Sequence, residues 1–368
     1  MKSAHKDIYI CSTVRHLLLS LYKAQDEANQ STIIYFYDFQ GVDPKGIDVT
    51  QLPDHIDLVL MNREELVNCI KDTGLIGRSI LFSSMRGWRV PSFVKTILID
   101  IIKKNNNSLD LSGHINKLFL FNDNNKMSRL FRLLTQSYSL IEDGMGNYVE
   151  HKIDSKSKKL LRFLLNQTPS YHVFGERKKC DSIYVIHPEK LPDSVRHKGE
   201  RLILSRDKKN ISYIHRCFKF DSTQSLDKDK LIIATQPIFN KLKGRLASND
   251  FFYDIYDLII SKSRENGLEP ILKLHPKEEI DDYSTLKEKG VTFLSNKLPM
   301  ELYLLSSIDK VNIVSINSSA GMGMEDYCNI YKLIPDNDIH NFVKILVSLE
   351  KNKDSLEELI SLRLSNIN

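Results

Sequence analysis

Two adjacent carboxylates, Glu142 and Asp143, end an apolar run and are followed directly by Gly144. A carboxylate at the end of a strand could deprotonate an incoming hydroxyl group, which is the task of a general base in group transfer. Side chains alternate along a strand, so only one of the two acids is expected to face a shared cleft. Glycine lets the backbone turn sharply and approach a ligand closely. The alternative is a plain turn in which an acid caps the next helix.

A second segment with catalytic potential is Lys273-Leu274-His275-Pro276, where a histidine and a proline end an apolar run. Imidazole titrates near neutral pH, and beside a phosphate it could be held protonated and donate to a departing group. Lys273 lies two residues before His275, on the same face of the predicted strand, and would add positive charge. The alternative is a structural histidine in an ordinary strand-end turn, with solvated lysines around it.

A third segment contains Ser318 and Ser319, which follow the apolar run 311–316 and open a predicted helix. Backbone N–H groups and serine hydroxyls at a helix N-terminus form a natural phosphate site. The same residues are equally typical of a serine N-cap without any ligand.

Short apolar runs alternate with helical patterns along the chain, which predicts parallel sheets covered by helices on both faces. In open sheets of this kind ligands bind at the carboxyl ends of the strands, where all three segments are expected to lie. Strands are predicted at 7–11, 32–39, 56–61, 79–82, 117–121 and 137–141, and then at 182–186, 201–204, 231–234, 270–274, 291–294, 311–316 and 330–334.

The length of 368 residues and the repeated pattern predict an α/β protein of two doubly wound halves. We expect a first domain over 1–165, a Lys- and Ser-rich crossover over 166–200, a second domain over 201–340 and C-terminal helices over 341–368. The polar stretch 206–229 is expected to be a loop or an insertion.

Several classes of protein are disfavoured by composition and by missing motifs. A net charge of +5 suits an anionic ligand or a membrane surface but is too small to indicate nucleic acid. Five scattered cysteines without a CxxC pair indicate reduced thiols and no zinc site. The P-loop, GxGxxG and GxSxG motifs are absent, and no DxD pair ends a strand. The N-terminal apolar run is too short for a signal peptide or a membrane span, so we expect a cytoplasmic protein.

The three segments, in this order, resemble the motifs of bacterial sialyltransferases: an acidic pair before glycine, a His-Pro pair and a Ser-Ser pair. The longer strings EDGMGNY and KLHPKE are similar to those of glycosyltransferase family 52 and of the capsular polysialyltransferases. Each motif is short, and the ordered trio makes the resemblance specific.

The resemblance implies a GT-B fold, in which two Rossmann-like domains with parallel sheets face an interdomain cleft. It also implies metal-independent transfer of N-acetylneuraminic acid, with inversion, from CMP-N-acetylneuraminic acid to a galactoside-type acceptor. The acceptor would belong to a bacterial surface glycan such as lipooligosaccharide, O-antigen or capsule. The first domain would be the acceptor side and the second the nucleotide-sugar side, with no cofactor, no metal and no nucleic-acid partner.

By position in the motifs, Glu142 or Asp143 would be the general base and His275 the general acid for the CMP phosphate. The residues that the resemblance places around the donor are Gly144, Thr235, Lys273, Pro276, Ser318 and Ser319. Some family 52 members carry an acid just after the strand that here ends in Ala234-Thr235-Gln236-Pro237, where this chain has Ile238. The choice between the two candidate bases stays open at this point.

Two other functions remain open on the sequence. One is a GT-B transferase or epimerase that uses another nucleotide sugar, and the other is a non-catalytic sugar-nucleotide-binding protein. The amphipathic stretch 341–364 and the mild positive charge further predict a peripheral contact with the inner membrane.

Overall fold

A computed structural model of the protein describes residues 6–25, 29–111, 113–164, 168–221, 226–237, 246, 250–335 and 341–367. The chain divides into two compact units, Met1–Phe220 and Asp221–Asn368. Each unit has its own parallel sheet and its own hydrophobic core. The predicted α/β class with parallel sheets is confirmed.

The first unit is built on a seven-stranded parallel sheet in the order β3-β2-β1-β4-β5-β8-β9, and β6 and β7 pair separately. Its strands, as far as the chain is described, are β1 (Lys6–Cys11), β2 (Gln30–Phe36), β3 (Ile56–Met61), β4 (Ile115–Leu120), β5 (Tyr138–Ile141), β6 (His151–Lys152), β7 (Tyr171–His172), β8 (Cys180–Val185) and β9 (Gly199–Arg201). Strands β1 and β2 are buried on both faces, as their unbroken apolar runs predict.

Helices cover both faces of this sheet. Those described in the first unit are α1 (Val14–Gln25), α2 (Arg63–Asp72), α3 (Leu75–Arg86), α4 (Ser92–Asn105), α5 (Lys126–Phe131), α6 (Lys156–Leu164), α7 (Asp193–Arg196) and α8 (Lys208–Cys217). The predicted strand at 79–82 is wrong, because these residues lie inside α3. Gly77, Ile80 and Ser84 are buried at helical spacing, and a Cβ at Gly77 would lie 1.6 Å from the Ile70 carbonyl oxygen of α2. The close contact of two helices therefore requires this glycine.

The boundary between the units lies later in the chain than the sequence suggests. Strands β8 and β9 extend the first sheet, so the stretch 166–200 belongs to the first unit instead of crossing between two domains. Part of the predicted loop 206–229 is helix α8, whose Ile214 is fully buried and whose Tyr213 donates to the carbonyl of Leu21 at 2.9 Å. Packing on α1 stabilises a helix in a segment that is mostly polar.

The second unit has a five-stranded parallel sheet in the order β12-β11-β10-β13-β14. Its described strands are β10 (Lys230–Ala234), β11 (Glu269–Lys273), β12 (Thr292–Leu294), β13 (Val311–Ser315) and β14 (Cys328–Lys332). Its described helices are α9 (Phe251–Glu265), α10 (Ser284–Glu288), α11 (Met300–Ser306), α12 (Phe342–Lys351) and α13 (Lys353–Leu364). In both units the strand order reverses next to the first strand, and such a switch point opens a crevice for ligands.

The two C-terminal helices complete the core of the second unit. Leu346 of α12 and Leu356, Ile360 and Leu364 of α13 are buried in that core. Lys262 of α9 forms an ion pair of 2.7 Å with a glutamate of α13. The amphipathic pattern of this segment is therefore explained by packing within the unit, and it gives no support to a membrane contact. In the part of the chain that is described, no helix is both long and apolar enough to span a bilayer.

Candidate active site

Side chains from three neighbouring strands meet at the carboxyl edge of the first sheet. His16 follows β1, Asn122 follows β4 and Asp143 follows β5, and these strands are adjacent in the sheet. One carboxylate oxygen of Asp143 lies 2.6 Å from Nε2 of His16, and the other accepts a hydrogen bond from Nδ2 of Asn122 at 3.3 Å. The topology thus gathers three distant residues around one carboxylate.

The ring of His16 is fixed on both sides. Its Nδ1 accepts a hydrogen bond from the backbone N–H of Ser12 at 3.3 Å, so the ring proton lies on Nε2 and is donated to Asp143. The ring also stacks on Phe121, with the centroids 4.0 Å apart. His16 therefore orients the carboxylate, and neither ring nitrogen is left to accept a proton from a substrate.

The charge state of Asp143 follows from its neighbours. Burial opposes ionisation, but the electrostatic interaction and hydrogen bond with His16, the hydrogen bond from Asn122 and the charge of Arg15 outweigh it and lower the pKa of the carboxyl below its usual value. Asp143 is consequently ionised at neutral pH, while a quarter of its side chain remains exposed. An ionised and partly exposed carboxylate can accept a proton.

Glu142 has a different environment from its neighbour. Its side chain is 1% exposed, and Arg15 donates to one carboxylate oxygen at 2.7 Å. The hydroxyl of Tyr148 and the backbone N–H of Ile186 donate to the other oxygen. Burial and the charge of Glu142 raise the pKa of Tyr148, which keeps that hydroxyl protonated as a donor. Glu142 thus joins three segments of the first unit and has no free oxygen toward solvent.

A tight turn holds the backbone after the acidic pair. Gly144 has a φ of 88°, which is the left-handed region that glycine adopts without strain. Asn147 closes the turn by accepting the backbone N–H of Asp143 at 2.7 Å. The predicted role of the glycine in shaping the turn has this geometric basis.

The remaining motif residues lie at the carboxyl edge of the second sheet. Thr235 follows β10, His275 follows β11, and Ser318 and Ser319 follow β13. Strand β10 lies between the other two, so the Thr235 loop is flanked by the His275 loop and the serine loop at the switch point of this unit. The second unit therefore places the His-Pro and Ser-Ser motifs at the same edge of one sheet.

The backbone around His275 is held by two buried side chains. Thr235 Oγ1 and Glu278 Oε2 each lie 3.0 Å from the His275 backbone N–H. Glu278 is buried, and it also accepts the Tyr283 hydroxyl at 2.8 Å, while its carbonyl accepts Asn296. Pro276 continues the turn in a partly exposed position. Thr235 thus fixes the turn and does not itself project from it.

The imidazole of His275 carries its proton on the outer nitrogen. Its Nδ1 accepts the backbone N–H of Lys277 at 3.2 Å, which leaves Nε2 protonated. Burial, followed by the charges of Lys277 and Lys273, lowers the pKa of His275. Without a ligand the ring is therefore neutral at pH 7, and a neighbouring anion would favour its protonated form.

Lys273 lies inside the second unit and is 6% exposed. Its ammonium group donates to the carbonyl of Ser295 at 2.7 Å. Burial, opposed by the charge of Glu301, lowers the pKa of Lys273 to about 8. Lys273 thus places a buried positive charge at the end of β11, two residues before His275.

We expect Lys273→Met to raise the free energy of unfolding at pH 7 by about 1–2 kcal/mol. A pKa of about 8 against a usual 10.5 corresponds to roughly 3 kcal/mol of cost for the buried charge, and the lost hydrogen bond to Ser295 offsets about 1 kcal/mol of this gain. Between pH 8 and 10.5 the unfolded state binds more protons, so the wild-type stability rises with pH and the advantage of methionine shrinks. Urea unfolding of both proteins at pH 7 and pH 10 measures this, and an equal difference at both pH values would contradict it.

The serine loop is a series of turns, and the helix predicted to begin there is wrong. Gly321 and Gly323 have φ values of 78° and 83°, which interrupt a helix. A Cβ at Gly321 would lie 2.7 Å from Ile313, so the turn lies directly against the sheet. Ser318 donates its backbone N–H to Ser315 and accepts that of Ala320, while Ser319 is exposed. Any phosphate contact here would come from hydroxyls and turn amides.

The sequence analysis missed His16, Arg15, Asn122 and Glu278. Asn122 follows β4, which is adjacent to β5, and Arg15 and His16 follow β1, one strand further. The rule that the carboxyl ends of neighbouring strands converge could have identified these three residues. Ile238, where some relatives carry an acid, lies outside the described residues. Among the residues that are described, no cluster of three or more His, Cys, Asp or Glu side chains has the geometry of a metal site.

Comparison with known proteins places these motifs in a family. Among solved structures, one similar chain is the GT-B domain of a sialyltransferase from Photobacterium damselae, at 14% identity and a TM-score of 0.49, with 94% of this chain and 97% of that chain covered. Another is UDP-GlcNAc 2-epimerase from Methanocaldococcus jannaschii, at 9% identity and a TM-score of 0.41, with 94% and 93% covered. No curated protein sequence matched the chain.

A profile of glycosyltransferase family 52 matches residues 61–334. This range includes Asp143, His275 and both serines, while Arg15 and His16 precede it. The match covers well over half of the chain, and the chain therefore belongs to glycosyltransferase family 52.

Proposed function

We propose that this glycosyltransferase moves N-acetylneuraminic acid from CMP-N-acetylneuraminic acid to a galactoside-type acceptor of a bacterial surface glycan. The transfer inverts the anomeric centre and uses no metal ion. The observation that carries the proposal is the ordered motif trio inside the family 52 match, with each motif at the carboxyl end of a strand. The choice of CMP-sialic acid rests on the resemblance of these motifs to those of bacterial sialyltransferases.

Asp143 is the general base in this proposal. The acceptor hydroxyl oxygen forms a bond to the anomeric carbon, and its proton passes to the carboxylate of Asp143. Glu142 is excluded from this role because its side chain is only 1% exposed and both of its oxygens accept hydrogen bonds from the protein, whereas a quarter of the Asp143 side chain is exposed. General base catalysis of this kind contributes about 10²–10⁴-fold to a rate.

His275 is the general acid. As the bond between the anomeric carbon and the phosphate oxygen breaks, negative charge develops on CMP, and Nε2 of His275 donates to that oxygen. Ser318 and Ser319 bind the phosphate, and Thr235 and Pro276 hold the turn that presents the imidazole. Gly144 lets the backbone turn beside the base, and Lys273 adds positive charge beneath the strand end. Donors that are fixed before the reaction stabilise such charge without reorganisation.

A second candidate function is transfer or epimerisation with another nucleotide sugar. In this proposal His275 and the two serines act on the phosphate, and they would serve a uridine nucleotide as well. Calorimetric titration with CMP and with UDP separates the two candidates. We expect binding of CMP at least tenfold tighter than binding of UDP, a difference of about 1.4 kcal/mol.

The decisive test is incubation with CMP-N-acetylneuraminic acid and a panel of galactosides, followed by mass spectrometry of the products. We expect one added sialic acid mass and release of CMP. A preference for UDP, or CMP release without any sialylated product on a broad panel, would count against the proposal. CMP binding with no turnover would favour the non-catalytic alternative.

A further inference from the structure

The first unit contains a cavity of about 1160 Å³ that the transfer chemistry above does not use. It lies between the C-terminal part of α3, the loop after β4, the segment from β6 into α6 and the turn after β7. Three carboxylates and twice as many cationic side chains line it, and the cations are Arg86, Arg129, Lys152, Lys158, Arg162 and Arg177.

Two of the three carboxylates each neutralise one cation, and the third, Asp154, is exposed. Glu176 is taken by Arg162, which donates to both of its oxygens at 2.6 and 2.8 Å. Asp123 is buried and accepts the hydroxyl of Tyr138, and the nearest cation to it is Arg177 at 3.8 Å. Within the described part of the chain, the other four cations form no ion pair, so the cavity keeps a surplus of positive charge.

The crowding of these cations also shows at Arg129. Its Nε is buried and has no hydrogen-bond partner among the described residues. Burial, followed by the charges of Arg132 and Arg177, lowers the pKa of this guanidinium group. Like charges held together in a fold cost stability unless an anion is bound between them. The arrangement is thus typical of a site for an anionic ligand.

Two residues that line the cavity adjoin, along the chain, residues that contact the Asp143 turn. Asn122, which donates to Asp143, immediately precedes the cavity residues Asp123 and Asn124. Likewise, His151 immediately precedes the cavity residue Lys152, and a nitrogen of His151 lies 2.8 Å from the carbonyl oxygen of Gly146, in the turn after Asp143. A ligand in the cavity would therefore contact residues that directly follow, in the chain, the partners of the Asp143 turn.

One rim of the cavity is aromatic. Phe82 lines it and is 42% exposed, and its ring forms a T-shaped pair with that of Trp88, itself 57% exposed, with the ring centroids 5.3 Å apart. Exposed aromatic faces beside charged groups suit a ligand with both apolar faces and anionic groups. Sugar rings with carboxylate or phosphate substituents have this character. A concave site of this volume can hold several sugar residues, whereas a flat membrane surface would not fit into it.

We propose that this cavity binds an anionic segment of the acceptor glycan, bearing carboxylate or phosphate groups, and so selects charged acceptors. The inference rests on the proposed transferase function, because it assigns the ligand as the acceptor.

The test uses the triple variant Arg86→Ser, Lys152→Ser, Lys158→Ser, since all three side chains are exposed and their loss should leave the fold intact. The matched control is Lys71→Ser, Lys103→Ser, Lys104→Ser, three exposed lysines of the same unit outside the cavity. Calorimetric titrations at low salt use a soluble sialic acid tetramer as the carboxylate probe and tripolyphosphate as the phosphate probe. The probe that binds more tightly identifies whether the cavity prefers carboxylate or phosphate groups.

We expect wild type and control to bind at least one probe, and the triple variant to bind it about tenfold more weakly. The affinity should also fall with added salt. In the transfer assay, the ratio of kcat/KM for a sialylated galactoside to that for the neutral galactoside should fall about tenfold in the triple variant only.

Equal binding by the triple variant and the control would overturn the inference. So would binding only to phosphatidylglycerol vesicles and to neither soluble probe, because the surface would then contact membranes. The titrations need no sugar donor. Loss of probe binding in the triple variant, combined with no CMP release by the wild type, would keep the anion site and remove the transferase assignment instead.

Discussion

Asp143→Asn should lower kcat for sialyl transfer by about 10²–10⁴-fold while the free energy of unfolding changes little. The asparagine carbonyl still accepts from His16, but the side chain no longer accepts the proton of the acceptor hydroxyl. KM for the donor should stay within about twofold, since the lost interaction concerns the transition state. Initial rates with CMP-N-acetylneuraminic acid and a saturating galactoside measure the effect.

The control for this variant is Asp38→Asn. Asp38 is also a partly buried aspartate of the first unit with a cationic partner, since Arg63 donates to it at 3.2 Å, but it follows β2, which two strands separate from β5 in the sheet. Its activity should remain near that of the wild type. A kcat of Asp143→Asn within about threefold of the wild type would exclude Asp143 as the base.

The neighbouring acid gives a contrasting expectation. Glu142→Gln removes the ion pair between Glu142 and Arg15, and we expect the free energy of unfolding to fall by about 2 kcal/mol, less than for a fully buried pair because Arg15 is 22% exposed. Its remaining activity should follow the folded fraction, measured by urea unfolding. If Glu142→Gln kept full stability and lost transfer as completely as Asp143→Asn, the division of roles would be wrong.

The second large effect concerns His275→Ala, for which we expect kcat to fall by about 10²–10⁴-fold. The variant should still fold, because the turn is held by the backbone N–H of His275 and by Thr235 and Glu278. His197→Ala, an exposed histidine of the first unit, is the control. Transfer at the wild-type rate by His275→Ala would overturn the acid assignment.

The pH dependence provides an independent readout of His275. In the free protein, burial and the charges of Lys277 and Lys273 lower its pKa, so the ring is neutral at pH 7. A bound phosphate favours the protonated ring and raises the pKa, so CMP binding should take up protons between the free and bound pKa values. The rate should fall as pH rises through the bound value, whereas Asp143, with a lowered pKa, stays ionised throughout.

Proton uptake is measured by titrating CMP in buffers with different ionisation enthalpies. CMP itself carries a phosphate that titrates near pH 6, so the informative quantity is the difference between wild type and His275→Ala. We expect the variant to take up fewer protons and the His197→Ala control to match the wild type. An identical uptake in all three proteins would show that His275 does not face the phosphate.

Much of the architecture could be predicted from the sequence because buried parallel strands leave unbroken apolar runs. The run at 7–11 corresponds to β1, which is buried on both faces, and the run at 56–61 corresponds to β3, which is only partly buried and carries the exposed Asp57. The strand predicted at 79–82 is wrong because a run of four apolar or small residues fits a strand as well as a helix. Helix α8 was missed because its stability comes from packing on α1.

The sequence by itself determined the α/β class, the two halves and the ordered motifs at strand ends, because these depend on local pattern. Only the tertiary structure distinguishes the surroundings of Glu142 and Asp143, since their partners Arg15 and His16 lie 127 residues away in the chain. The same holds for the basic cavity, whose cations come from four separate segments. Adjacent acids with the same intrinsic chemistry differ here because one is surrounded by buried donors and the other reaches solvent. That difference arises only when the strands are brought together.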